Sequence, residues 1–452
     1  MIVKNEGRIL GKCLRSVLPC ADEIIIVDTG STDSTVEVAR SFGARIIHSD
    51  WKNDFSYSRN CSLREATCEW ILWLDADDYV PAESLPVINS LKKETPDKVF
   101  GFIVRNEKPG NTGTEFIQSR MFPNRPEIFF ERRIHEQMML SAMRQGLTLV
   151  ETKAVVEHHG YADPQSVQIK AQRNIPPLLE EYKATGPEPV LAIEIADSYS
   201  IIGEGALAKS WYEKVLGLPE SEQSFPEIAG QACLGLGNLC NISADYGRAI
   251  EYLHKALRLS PGRVDALYSL AVSFELCNRI PEAIDCLYGI IRTAPSPQKI
   301  GIDFREAKIK SFLRLGRLLI DCKKKSEALD LAGQAVSLLP HRPEIQNMAG
   351  RIYFHNGKLM EALHAFERSL DIEKTNIDAY IGLCQIYESA GKKDTAIQTV
   401  SAIMPAFADN PAFWALFHQI CGRGTGAMPP GTVDSEQIAK EEKKILHDYA
   451  KQ

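Results

Sequence analysis

The sequence predicts two architectures in one chain, an α/β domain followed by an all-α repeat array, and three observations carry that expectation. At 452 residues the chain exceeds what one hydrophobic core ordinarily serves. Over residues 1–165 short apolar strands alternate with helical stretches, the pattern of α/β domains. Beyond them alanines recur at a fixed interval: Ala249 to Ala283, Ala328 to Ala362 and Ala362 to Ala396 each span 34 residues, as do Pro261 and Pro295.

In the first part, residues 22–28 (DEIIIVD) form a buried-strand pattern ending in a carboxylate. Residues 29–33 make a turn, and 34–43 a helix with Ser, Thr and Asp at its start and a glycine at its end. A second strand is expected over 44–48, a helix over 56–67, and a third strand over 70–74 that runs into Asp75-Ala76-Asp77-Asp78. Polar residues at strand ends place a ligand at the carboxyl edge of an open sheet. Two carboxylates one residue apart at such an edge suit diphosphate chemistry: one can meet a divalent cation, which wants hard oxygen ligands, and the other a ribose or a water. An isolated Asp-x-Asp is more simply a turn, so the surrounding motifs decide.

The 34-residue interval is the tetratricopeptide period. Around the alanines a bulky residue recurs nine positions earlier (Phe274, Tyr353, Tyr387) and an apolar one four later (Leu253, Leu287, Phe366). A small residue with large ones a turn away lets antiparallel helices pack closely. About six repeats are expected over 188–421, after a helical linker at 166–187, with insertions where the spacing lengthens, as around Pro295-Ser296-Pro297. Residues 422–452 read as a Gly/Pro linker and a charged helix.

Four motifs occur in one order: Val3-Lys4-Asn5-Glu6, then residues 22–33, then Phe55-Ser56-Tyr57-Ser58-Arg59-Asn60, then residues 70–78. Together they resemble the family-2 glycosyltransferases, whose nucleotide-diphospho-sugar transferase fold is Rossmann-like. Within that family the chain is similar to the branch of lipopolysaccharide core β-glucosyltransferases and sublancin-type S-glycosyltransferases. The resemblance covers residues 1–161 and implies a cofactor-binding set of Val3, Asn5, Glu6, Asp28, Gly30, Ser31, Arg59, Asp75 and Ala76. Asp28 would contact the base, Arg59 the base or diphosphate, and Asp75 the ribose. Asp77 and His158 would take a divalent metal, Mg²⁺ or Mn²⁺. Arg120-Met121-Phe122 and Arg133-Ile134-His135-Glu136 resemble signatures of the acceptor side, which makes His135 or Glu136 the candidate base. Only Met1-Ile2-Val3 precede the first motif where relatives carry a full strand, so the first strand is expected to be short or to begin upstream.

The reading that follows is an inverting, hexosyltransferase-type enzyme that moves a sugar from a nucleotide diphosphate. UDP is the donor base favoured by the resemblance. The acceptor is expected to be a protein or peptide held by the repeats, since such arrays form concave peptide-holding surfaces. Three other readings stand beside it: a catalytically degenerate interaction scaffold, a transferase acting on a cell-envelope glycan, and nucleotidyltransfer, for which Asn5-Glu6-Gly7-Arg8 is a poor phosphate loop. A formal charge of -7 argues against a nucleic-acid partner. Eleven cysteines without a Cys-x-x-Cys pair, in apolar stretches at Cys233, Cys240, Cys277 and Cys286, read as reduced core residues. The chain has no apolar run of membrane length and no leader-like start, which gives a cytoplasmic expectation.

Overall fold

A computed structural model describes residues 1–108, 112–159, 164–294 and 303–403. The turn at Pro295–Pro297, Gly160-Tyr161, the repeat region beyond 403 and the whole of 422–452 lie outside the described residues. The chain divides into two compact units: residues 1–239 with 252–263 and 294–306, and residues 240–251 with 264–293 and 307 onward.

The first unit opens with strand β1 (Ile2–Val3), helix α1 (Leu10–Val17), β2 (Ile25–Asp28), α2 (Thr35–Ser41), β3 (Arg45–His48) and α3 (Phe55–Glu65). Strands β1, β2 and β3 form a parallel sheet in that order, with Val3 opposite Asp28 and Asp28 opposite His48. Parallel strands need crossovers, and α2 makes the one between β2 and β3. Its start is capped by Asp33, which accepts from the Thr35 amide at 3.0 Å, and Gly43 follows its end at φ 74°. Asp54 caps α3 by accepting from the Tyr57 amide at 2.8 Å.

A second, five-stranded sheet holds β4 (Trp70–Leu72), β5 (Asp78–Tyr79), β6 (Lys98–Lys108), β7 (Thr112–Pro123) and β8 (Thr148–His158), in the order β4-β7-β6-β8-β5. Helices α4 (Leu85–Leu91) and α5 (Met139–Arg144) lie along the chain between these strands. The long β6–β7 hairpin lies beyond the strands that the sequence pattern predicts: β6 opens on a continuous apolar run, Val99 to Val104, which has no strand alternation. Among the described residues β1 pairs with β2, and a cavity of about 430 Å³ is lined by Met1, Ile24, Ile25 and Trp70 to Leu74.

After the sheets come α6 (Pro164–Thr185), α7 (Pro189–Ile201), α8 (Gly205–Gly217), the short α9 (Ser221–Ser224), α10 (Pro226–Ile242) and α11 (Tyr246–Leu259). Their shared core joins Leu178, Leu191, Ile195, Trp211, Tyr212 and Leu236, and includes Ile134 from the sheet region.

The second unit carries α12 (Val264–Leu276), α13 (Ile280–Arg292), α14 (Phe304–Asp321), α15 (Lys325–Leu338), α16 (Pro343–His355), α17 (Leu359–Ile372), α18 (Ile377–Ser389) and α19 (Lys393–Ile403), a run of helices of similar length. The periodic alanines Ala283, Ala328, Ala362 and Ala396 are buried, as small residues at helix crossings must be. Phe366 shows the complementary half of that design: its ring fills the space left by Gly350 and Gly382, where an added Cβ would strike it. The described cysteines are all free thiols. Cys277, however, is exposed, so it is no core residue: it sits at the end of α12, where the apolar stretch leaves the packed face. Among the described residues no helix is long and apolar enough to cross a membrane.

Candidate active site

The carboxyl ends of β1, β2 and β4 carry the first, second and fourth motifs, and helix α3 carries the third. Asn5, in the left-handed region at φ 59°, folds its segment onto the turn after β2. Its amide donates to Ser31 Oγ at 2.9 Å, and its Oδ1 accepts from the Thr32 amide at 2.8 Å. Glu6 donates its amide to Thr35 Oγ1 at 2.7 Å. The Val3 carbonyl accepts from both the amide and the hydroxyl of Thr29, at 3.0 and 3.1 Å. Gly30, at φ 98° with open space where a Cβ would stand, leaves the turn uncovered.

Asp28 is buried beneath this turn. Its carboxylate accepts from the Ser31 amide at 3.1 Å and lies 3.3 Å from His48 Nδ1. Burial alone would raise its pKa, but the hydrogen bonds from Ser31 and His48 outweigh it and hold the group below the ordinary carboxylate value. Asp28 is therefore a fixed, ionised acceptor at the strand end.

Arg59, on α3, is the hub. It is 5% exposed, donates from Nη2 to Asp75 Oδ1 at 2.8 Å and from Nε to Glu136 Oε1 at 2.6 Å. Its guanidinium stacks on Trp73 at 4.3 Å from the ring centroid, and that of Arg120 stacks on the same ring at 4.0 Å. Burial raises and Arg59 lowers the pKa of Asp75, and with Arg120 also lowering it, the net direction is well down.

The run Asp75-Ala76-Asp77-Asp78 divides its labour in a way the sequence alone does not show. Ala76 points into the core with Val3, Leu10 and Ile26. Asp78 points inward too: its side chain is 0% exposed, accepting from Arg120 Nη1 at 2.9 Å, from the Asp75 amide at 2.8 Å, and facing His158 Nδ1 at 2.8 Å. Asp77 stays accessible, with a side chain 24% exposed and 3.5 Å from His158 Nδ1. Its pKa is raised, by burial first, with His158 pulling the other way and Asp75 and Asp78 adding to the rise.

Antiparallel pairing of β5 with β8 sets His158 directly opposite Asp78, which is how a residue 80 positions later reaches the run. Burial lowers the His158 pKa but the Asp78 hydrogen bond and the charges of Asp77 and Asp78 win, so it is raised. His159 contributes its amide instead, donating to the Asp77 carbonyl at 3.1 Å. Asp75, Asp77, Asp78 and His158 each place one possible ligand atom within 4.8 Å of the others. The set fits a hard divalent cation, and Asp77, accessible and crowded by like charge, is the carboxylate that gains most from one.

The acceptor-side signatures separate. Arg120 does not face an acceptor: it is 2% exposed and bound to Asp78, because a guanidinium is what a buried carboxylate needs. Residues 132–136 form a loop closed by an antiparallel bridge between Glu131 and Gln137. Glu136 is engaged by Arg59, whereas no hydrogen bond or ion pair ties up His135 among the described contacts. The surrounding protein lowers the His135 pKa, Glu136 opposes that and Arg132 adds to it. Trp73, Asp78 and the loop's anchors escaped the sequence reading. The one signal for Asp78 was its place beside two other carboxylates at a strand end.

Comparison with known proteins agrees with this geometry. Residues 1–152 match the family described as Glycosyl transferase family 2, and residues 243–297, 313–377 and 353–420 match Tetratricopeptide repeat families. A TPR repeat-containing protein of Synechococcus elongatus is 32% identical over 280 residues, covering 60% of this chain and 67% of that protein. The glycosyltransferase SunS of the Bacillus subtilis SPbeta prophage is 32% identical over 192 residues, covering 42% of this chain and 45% of that protein. An uncharacterized glycosyltransferase of Rickettsia bellii is 39% identical over 85 residues, 18% of this chain and 28% of that protein. The chain thus spans two thirds of the first of these and less than half of the others.

Proposed function

This chain belongs to glycosyl transferase family 2 and carries tetratricopeptide repeats, and we propose that it moves a sugar from UDP to a protein or peptide acceptor, with inversion. The observation that carries the reading is the pairing of Arg59 on α3 with Asp75, beside Asp77 after β4, together with Asp28 at the end of β2.

Each residue has a physical task in that reading. Asp28, ionised and held by Ser31 and His48, accepts from the N3–H of uracil. Val3, Asn5, Glu6, Gly30 and Ser31 form the backbone cradle around the base and ribose, with Gly30 leaving room for close approach. Asp75 takes the ribose hydroxyls, and Arg59 beside it complements the diphosphate. Asp77 and His158 would hold a divalent cation, Mg²⁺ or Mn²⁺, whose charge would neutralise the departing diphosphate.

His135 is the base and Glu136 its neighbour that fixes Arg59, because a carboxylate already paired at 2.6 Å is a weak proton acceptor, whereas His135 carries no such pairing among the described residues. His135 takes the proton of the acceptor as the acceptor atom bonds to the anomeric carbon. The bond from that carbon to the diphosphate oxygen breaks, and UDP leaves with the electron pair. The peptide acceptor rests on the repeats, whose stacked helix pairs offer an extended surface for a chain segment.

Isothermal titration of UDP into the full chain tests the donor reading, with Mn²⁺, with EDTA, and with Asp77→Asn. Binding that needs the metal and disappears in the variant is the expected result. Binding that is equal in all three would refute the metal and Asp77 roles, and no binding by the folded chain would refute UDP as donor.

A further inference from the structure

The loop that carries His135 cannot hold its own shape. Arg132 and His135 both adopt the left-handed backbone, at φ 74° and 54°, without being glycine. Such residues cost on the order of 1–3 kcal/mol each and persist only where their surroundings impose them. The single bridge between Glu131 and Gln137 closes the loop's neck but leaves the five residues between without sheet partners.

What imposes the conformation comes from helices α6 and α7. Ile134 is 4% exposed and packs in one core with Leu178, Leu191 and Ile195. The Arg133 amide donates to Glu181 Oε2 at 3.0 Å and its guanidinium to Glu180 at 2.9 Å. The Arg133 carbonyl in turn accepts from the Phe55 amide at 2.9 Å, at the start of the helix that bears Arg59. Arg132 pairs with Glu188 at the N-terminal end of α7 and lies 3.9 Å from Glu194, six residues further on. Three consecutive residues are thus tied to the two helices, and the next two are His135 and the Glu136 that grips Arg59.

We infer that α6 and α7 belong to the catalytic apparatus, with Arg132 and Ile134 as positioning residues that set His135 and Glu136 against Arg59. This rests on the assignment of His135 and Arg59 made under the preceding heading. Arg132 touches neither donor nor acceptor; it acts through the loop. Its ion-pair partner is Glu188, the residue just before α7, and Glu194 on α7 lies 3.9 Å away, so a hydrogen-bond-donating cation at position 132 is matched to that surface. The linker helix α6 and the first helix of the expected repeat array, α7, would then do more than connect the two parts of the chain: they complete the site.

A charge swap in the full chain tests this, comparing wild type, Arg132→Glu, Glu188→Arg and the double variant. Three quantities are read: UDP affinity with Mn²⁺ by titration, the rate of UDP release from a set of UDP-hexoses in water, and hydrogen exchange of residues 131–137. Arg132→Glu is expected to keep UDP affinity within about twofold, to slow UDP release at least tenfold, and to lose protection in the loop. The double variant is expected to recover protection and at least a third of the rate. Ile134→Val, which trims the anchor without charge, is expected to fall between wild type and Arg132→Glu. Loss of loop protection with an unchanged rate would make these contacts structural only and overturn the inference, as would a double variant with restored protection and no restored rate. A wild-type chain that binds no UDP would instead overturn the donor assignment, and this inference with it.

Discussion

Asp77 and Asp78 are adjacent carboxylates, and replacing each by asparagine should have unequal effects: a large loss of stability at Asp78 and almost none at Asp77. In Asp78→Asn the two oxygens that receive Arg120, the Asp75 amide and His158 become one carbonyl and one amide group. One of those donors then faces another donor. The lost charge-assisted bond is worth about 1.5–3 kcal/mol. Arg120, 2% exposed, is also left without its counter-charge, and breaking a buried pair from one side costs about 3–5 kcal/mol in all. Asp75, which already feels Arg120, absorbs part of that, so about 3 kcal/mol is the expected loss. At roughly 2–4 °C per kcal/mol for a unit of this size, the midpoint should fall by about 6–12 °C. Asp77→Asn removes a group whose proton affinity is raised by burial and by two like charges, so without metal its stability should stay within about 0.5 kcal/mol of wild type. Thermal unfolding in EDTA, followed by far-UV circular dichroism and by hydrogen exchange in β4 and β8, measures both. Two equal midpoints, or the larger fall in Asp77→Asn, would refute the inward-and-outward division of the run.

Two further outcomes follow from the helical parts. Glu194 is buried and its pKa is pushed up to about 8 from 4.5, by desolvation first and against the pull of Arg132. The folded chain keeps a proton there that the unfolded chain releases, so the stability this group gives is present below about pH 4.5 and lost as pH rises towards 8. The shift of 3.5 units, 8 less 4.5, sets an upper limit of about 5 kcal/mol at 1.36 kcal/mol per unit. Glu194→Gln should flatten that slope in urea unfolding measured from pH 5 to 8; an unchanged slope would contradict a neutral Glu194. Gly382→Ala would drive a Cβ into the Phe366 ring, which Gly350 already flanks, so overpacking of about 3 kcal/mol should exceed the ~1 kcal/mol gained in helix propensity. A net loss near 2 kcal/mol in the second unit, with UDP binding unchanged, is expected by calorimetry and titration; a neutral substitution would show that the ring can move aside.

Much of this protein is written in local patterns. The 34-residue recurrence from Ala249 to Ala396 determines helix pairs with small residues at their crossings, because close helix approach tolerates nothing larger there. The strand ending at Asp28, the turn through Gly30 and the acidic run after Trp70 likewise announce a ligand edge, since polar groups at strand ends have few structural uses. Tertiary structure decided the rest. Which of three neighbouring aspartates turns inward depends on Arg120 and His158, 42 and 80 residues away, and no local period encodes such partners. Arg120 itself moved from the acceptor side to the buried support of Asp78 for the same reason. Glu136 meets Arg59 across 77 residues, and Ile134 finds its core among helices that begin 30 residues later. Those contacts are made by folding back long stretches of chain, so they are properties of the packed molecule and leave no mark in the spacing of its residues.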